Sequence, residues 1–72
     1  MDVNISKLRG KMVERGHNTE TLSNALGIGR ASLYRKIKRG GSFTIGEAHE
    51  ICKALSLSKE EAIEIFLPKY SQ

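Results

Sequence analysis

Residues 19–37 read TETLSNALGIGRASLYRKI, and this stretch decides how the chain folds. It contains two short segments with apolar residues at helical spacing, separated by a three-residue turn. A tight turn needs a residue that tolerates positive φ directly after the first helix, and Gly27 stands at that position. We therefore predict a helix-turn-helix within residues 19–39, in which Leu33 and Ile37 point inward and hold the second of the two helices.

The flanking sequence predicts three further helices. Thr44 with Glu47 and Ser58 with Glu61 fit the capping box, in which each side chain caps the other residue's amide. Before Gly16, apolar residues recur on one helical face. The predicted core residues are Ile5, Leu8, Met12, Val13, Leu22, Ala25, Leu26, Ile45, Ala48, Ile51, Cys52 and Leu55. No segment reads as a strand, so the predicted fold is all-α, with five helices in one domain over residues 1–72.

The basic residues are distributed unevenly. The 72 residues carry 12 Lys or Arg against 8 Asp or Glu, a net charge of +4. Residues 1–42 hold nine of the basic residues and three acids, a balance of +6, whereas residues 43–72 hold three against five, a balance of −2. This asymmetry favours a polyanionic partner. A nucleic acid is favoured over a membrane surface because no strongly apolar face accompanies the basic one. A solvated run of surface charge is the alternative.

The third predicted helix carries the candidate interface. With Leu33 and Ile37 inward, the helical period places four residues outward as candidate base readers, namely Arg30, Ala31, Tyr34 and Arg35. Arginine can bind guanine O6 and N7 with two hydrogen bonds, and alanine can contact a thymine methyl. Five other residues are candidate phosphate contacts, which position a protein on DNA without reading sequence: Thr19, Ser32, Lys36, Lys38 and Arg39.

These residues resemble the helix-turn-helix family of Cro- and CI-type phage repressors, also called the Xre family. The resemblance covers residues 5–66 and is carried by Leu22, by Leu26-Gly27-Ile28, by the run from Leu33 to Ile37, and by the segment from Phe43 to Leu55. It implies a lambda-repressor-like fold in which the third helix enters the major groove and Thr19 touches phosphate. The small regulators of temperate phages of Gram-positive bacteria are similar, so double-stranded DNA is the expected partner. A partner CI-type repressor, bound by a modulator, is the alternative.

The C-terminal apolar run contains too many apolar residues for one helical face. Four residues are candidates for a homodimer or partner surface, namely Ile63, Ile65, Phe66 and Leu67. The other interpretation is an early helix end, with Leu67 folded back onto the core. A homodimer would let two copies read adjacent half-sites.

Other chemistry is not expected from the sequence. His49 and Cys52 are spaced i, i+3, but structural zinc needs four ligands, so no metal site, cofactor or small-molecule ligand is predicted. No nucleophile motif occurs, and a chain of this length leaves little room for a deep pocket, so enzyme activity is not expected. The single cysteine and the lack of a signal segment or long apolar run predict a reducing, cytoplasmic setting without a membrane.

Overall fold

A computed structural model describes residues 2–71, and the described chain contains five α-helices. They are α1 (Ile5–Glu14), α2 (Thr19–Leu26), α3 (Arg30–Lys38), α4 (Ile45–Ala54) and α5 (Lys59–Phe66). A short 3₁₀ turn, Pro68–Tyr70, follows α5. Helix α2 packs against both α3 and α4, and α1 packs against α5. The all-α fold predicted from the sequence is confirmed. None of the helices in residues 2–71 is long and apolar enough to cross a bilayer.

The helix starts follow from local capping. Thr44 Oγ1 accepts from the Glu47 amide at 3.0 Å, and Glu47 Oε1 accepts from the Thr44 amide at 2.9 Å, so the predicted capping box of α4 is confirmed. The capping box predicted between Ser58 and Glu61 is also present at the start of α5. Each box satisfies amides that have no partner within the helix itself.

The core lies between the helices and differs in part from the predicted set. Its buried apolar residues are Leu8, Met12, Leu22, Leu33, Ile37, Phe43, Ile51, Leu55, Ile65 and Phe66. Val13 and Ile45, which were predicted to be buried, are 78% and 86% exposed, and Ala25 is exposed as well. Phe43, just before α4, fills the core instead, and its ring meets that of Phe66 edge-to-face at 6.3 Å.

A charged cluster ties α1 to α5 and to the end of α4. Glu61 forms ion pairs with Lys11 and with Arg15. The Arg15 guanidinium also donates to the backbone carbonyls of Leu55 and Ser56, at 2.7 and 2.8 Å, where α4 ends. Hydrogen bonds from Lys11 and from the backbone amide of Ser58 lower the pKa of Glu61 to about 2. This cluster fixes the basic side of α1 to the acidic side of α5.

The N-terminal segment contacts both the end of α5 and the loop between α3 and α4. The Asn4 amide donates to the carbonyl of Ile65 at 2.8 Å. Gly41 is buried with φ +90°, and a Cβ placed there would lie 2.5 Å from Cγ2 of Val3. Gly41 is therefore needed both for its backbone conformation and for this close approach.

Candidate nucleic-acid interface

The turn between α2 and α3 presents α3 at the surface. Gly27 ends α2 with φ +70° and ψ +28°, the left-handed conformation predicted for this position. Gly29, with extended backbone, precedes the first residue of α3. Leu33 is fully buried and Ile37 is 5% exposed, so one side of α3 is packed and the opposite side faces solvent.

The exposed side of α3 forms a shallow depression with the start of α2. The depression has a volume of about 480 Å³ and is lined by Thr19, Arg30, Ala31, Tyr34 and Arg35. The structure therefore brings together the four candidate base readers and one candidate phosphate contact. All four α3 residues are exposed, and Tyr34 is 54% exposed.

Two contacts within α3 orient the side chains of this face. Arg35 Nη2 donates to the hydroxyl of Ser32 at 3.3 Å. Lys38 Nζ lies 5.7 Å from the centroid of the Tyr34 ring, which is cation–π distance. Sequence reasoning missed both contacts, although the spacings i, i+3 and i, i+4 could have indicated them, because such side chains are neighbours on a helix.

Ion pairs divide the basic residues into two groups. Lys7 pairs with Glu64, and Lys11 and Arg15 pair with Glu61, so these three cations of α1 and its C-terminal end are neutralised locally. Within residues 2–71 no carboxylate pairs with four cations of α3 and its C-terminal end: Arg30, Arg35, Lys38 and Arg39. Five cations of residues 1–42 have no ion pair among the described residues: these four and Arg9 of α1. The positive charge available to a polyanion is therefore concentrated on α3, more narrowly than the charge balance of residues 1–42 suggested.

Lys36 differs from the other candidate phosphate contacts. Its Nζ lies 3.3 Å from Oε1 of Glu47, and its side chain is 27% exposed. The pKa of Glu47 is lowered by its hydrogen bond from the Thr44 amide and by Lys36. Lys36 thus links α3 to the start of α4, and a phosphate would have to compete with Glu47 for it. Lys38 and Arg39 are exposed and have no such partner among the described residues.

The C-terminal surface needs correction. Ile65 is fully buried and cannot form a partner surface, so the prediction was wrong for this residue, whereas Phe66 is 6% exposed and presents only a small area. The last turn of α5 is covered both by the N-terminal segment, through the Asn4 to Ile65 hydrogen bond, and by Phe43. The helix ends at Phe66, and Leu67 is 49% exposed rather than folded fully onto the core.

An apolar groove lies between α4 and α5. Its volume is about 260 Å³, and its lining residues are Ile45, Ala48, His49, Cys52, Ala62, Ile63, Phe66 and Leu67. Burial raises the pKa of the Cys52 thiol. Among residues 2–71 no three His, Cys, Asp or Glu side chains are grouped so as to hold a metal ion. The lining is mostly apolar, so the groove is a surface for apolar contact, and the side chains of Ile45 and Leu67 are exposed along it.

Helices α2 and α3 are joined by a tight turn that begins at Gly27, and the exposed face of α3 is cationic. Together these features define a helix-turn-helix DNA-binding domain. A comparison with protein families agrees. A family model described as a Cro/C1-type HTH DNA-binding domain matches residues 7–66, and the chain belongs to this family. No match was found among curated proteins or among solved structures.

Proposed function

We propose that this protein is a transcriptional regulator that inserts α3 into the major groove of an operator. The observation that carries the proposal is the exposed depression in which Arg30, Tyr34 and Arg35 stand together without carboxylate partners among residues 2–71. An α-helix with its side chains is about 10–12 Å across, which suits a major groove about 12 Å wide. Arg30, Ala31, Tyr34 and Arg35 face the bases, and Thr19, Ser32, Lys38 and Arg39 face the backbone.

A repressor role fits a small domain that occupies promoter DNA and blocks access to it. The resemblance to small regulators of temperate phages supports action at a phage or prophage promoter, in the bacterial compartment that holds the DNA. DNA binding of this kind involves no bond-making chemistry, in keeping with a family of DNA-binding regulators.

The test is a mobility shift of the intergenic DNA beside the protein's own gene at low salt. Arg35→Ala removes one bidentate contact, worth about 1–3 kcal/mol, so the affinity should fall roughly 5- to 150-fold. Lys69→Ala is the control, because Lys69 is exposed and lines a different depression with Asp2 and Leu67. Equal affinities of the two variants, or no shift with the unaltered protein, would refute the proposal.

Protein contact is a second candidate function, favoured by the apolar groove between α4 and α5. Ile45 is 86% exposed and Leu67 is 49% exposed, and both line this groove, so they form a contiguous apolar surface of the kind that marks a protein contact. A second copy of the chain is the first occupant we propose, and a partner CI-type repressor is the other.

For the modulator alternative, Ile45→Glu should abolish co-elution with the neighbouring repressor while Arg35→Ala leaves it intact. Unchanged elution of the two unaltered proteins when mixed would exclude the modulator role.

A further inference from the structure

Helix α1 contributes one basic residue that the ion pairs with α5 do not use. Lys7, Lys11 and Arg15 form the stripe that faces Glu61 and Glu64. Arg9 lies on another side of the helix, is exposed, and has no carboxylate partner among residues 2–71. The side chain therefore retains its full charge toward solvent, as the arginines of α3 do.

Arg9 shares a depression with His17 and the start of α2. The depression has a volume of about 240 Å³, and it is lined by Arg9, Met12, Val13, His17, Asn18 and Thr19. Thr19 also lines the depression of Arg30 and Arg35 on α3. The two depressions are thus neighbours that meet at Thr19, and together they form one surface from α3 across to α1.

The hydrogen bonds of His17 leave one ring nitrogen free to act as a donor. Nδ1 of His17 lies 3.0 Å from Oγ1 of Thr21, and the Thr21 hydroxyl lies 3.2 Å from the carbonyl of Asn18. When the Thr21 hydroxyl donates to Nδ1, the ring carries its proton on Nε2, which has no hydrogen-bond partner among the described residues and can donate to a ligand.

We propose that Arg9 and His17 bind a backbone phosphate of duplex DNA, beside the stretch whose groove holds α3. This inference rests on the proposed function and extends its contact surface from α2 and α3 to α1. Arg9 supplies the positive charge, and Nε2–H of His17 supplies a hydrogen bond to a phosphate oxygen.

The salt dependence of binding tests the role of Arg9. The probe is a labelled duplex of about 20 base pairs of mixed sequence, since phosphate contacts do not depend on sequence. One lost phosphate contact should reduce the slope of log K against log salt by about 1. Between about 50 and 200 mM salt, the affinity of the unaltered protein should therefore fall about 3.5-fold more than that of Arg9→Ala. Lys69→Ala should keep the full slope.

Removal of the ring nitrogens tests His17. His17→Phe keeps an aromatic ring but has no donor, so its affinity for the same duplex should fall about 2- to 13-fold, the effect of one net hydrogen bond. His17→Gln, whose amide can still donate, should keep most of the affinity. Arg9→Ala with the same slope as Lys69→Ala would overturn the Arg9 contact, and an unchanged affinity in His17→Phe would overturn the His17 contact. If Arg35→Ala still weakens binding in either case, the proposed function stands and only this inference fails. If the unaltered protein binds no duplex at low salt, both fail.

Discussion

At the scale of single residues, the exposed side of α3 divides into residues proposed to read bases and residues proposed to hold the backbone. Arg30 lies in the depression on α3, whereas Lys38 stacks on Tyr34 near the end of the helix. Arg30→Ala should change the sequence preference, with a loss of about 1–3 kcal/mol at one base pair. Lys38→Ala should weaken binding to all sequences alike and reduce the salt slope by about 1.

The measurement is binding to a panel of duplexes that differ at single base pairs, repeated at several salt concentrations. Lys36→Ala should have less effect on the salt slope than Lys38→Ala, because the Lys36 ammonium is already paired with Glu47. If Arg30→Ala and Lys38→Ala weaken every duplex by the same factor, the division into readers and anchors is wrong.

Gly41 gives a second prediction at the residue scale, this one for stability. Gly40 and Gly41 both have positive φ, at +83° and +90°, but only Gly41 approaches Val3. Gly40→Ala should cost about 1–2 kcal/mol through backbone strain alone. Gly41→Ala adds the clash with Val3, typically another 1–3 kcal/mol for an overpacked site.

Denaturant unfolding of the two variants measures the difference in their free energies of unfolding. Because the φ values are nearly equal, Gly40→Ala serves as the control for strain. Equal free energies of unfolding for Gly40→Ala and Gly41→Ala would show that the N-terminal segment does not pack on this loop in solution.

At the scale of elements, the features that the sequence predicted correctly are those that depend on residues close together in the chain. Helix starts at Thr44 and Ser58 and the turn at Gly27 depend on residues within four positions of one another, so their patterns could be interpreted without knowing the packing. Burial could not be predicted so well. Val13 adjoins Met12 in sequence, and only the placement of the other helices decides which of the two enters the core.

The same limit explains the errors in α5 and the contacts of Arg15 that the sequence did not predict. Ile65 and Phe66 are both buried because α5 is covered on two sides, and these contacts come from segments far away in the sequence. The Arg15 contact to the end of α4 spans 40 residues and leaves no local pattern. By contrast, the outward positions of α3 follow from two inward residues and the helical period, so that face was predictable from the sequence.

The link between α1 and α5 predicts a dependence of stability on pH. The pKa of Glu61 is about 2 in the folded protein, against 4.5 for an ordinary glutamate. The folded state therefore binds fewer protons than the unfolded state in this interval, so the stabilisation is complete above about pH 4.5 and is lost as the pH falls toward about 2. Glu61→Gln keeps an acceptor for the Ser58 amide and removes the charge.

The free energy of unfolding should be measured against pH for the unaltered protein and for Glu61→Gln. The gap between them should be widest near neutral pH, shrink below about pH 4.5 and close near pH 2. Glu60→Gln is the matched control, since Glu60 lies next to Glu61 and has no cationic partner among residues 2–71. A gap for Glu61→Gln that stays constant from neutral pH to pH 2 would mean that its ion pairs do not stabilise the fold.

At the scale of the whole molecule, residues 2–71 contain one helix-turn-helix and therefore one helix proposed to read bases. One copy of this domain would read one short half-site. The described chain measures 33 × 23 × 20 Å. Half-sites one helical turn apart have centres about 34 Å apart, close to the long dimension of the chain. Two copies in contact can therefore lie on adjacent half-sites, and the apolar groove with Ile45 at its rim is the surface proposed to join them.

Selection of bound duplexes from random sequence tests this arrangement. A two-fold pair should enrich inverted repeats whose halves are about 10 base pairs apart, since the symmetry of the site mirrors that of the protein. Ile45→Glu, which removes an exposed apolar side chain without disturbing the core, should enrich single half-sites instead, while Ile45→Val should keep the repeat. Enrichment of single half-sites by the unaltered protein would mean that it binds DNA as a monomer, and the groove would then be free for a different partner.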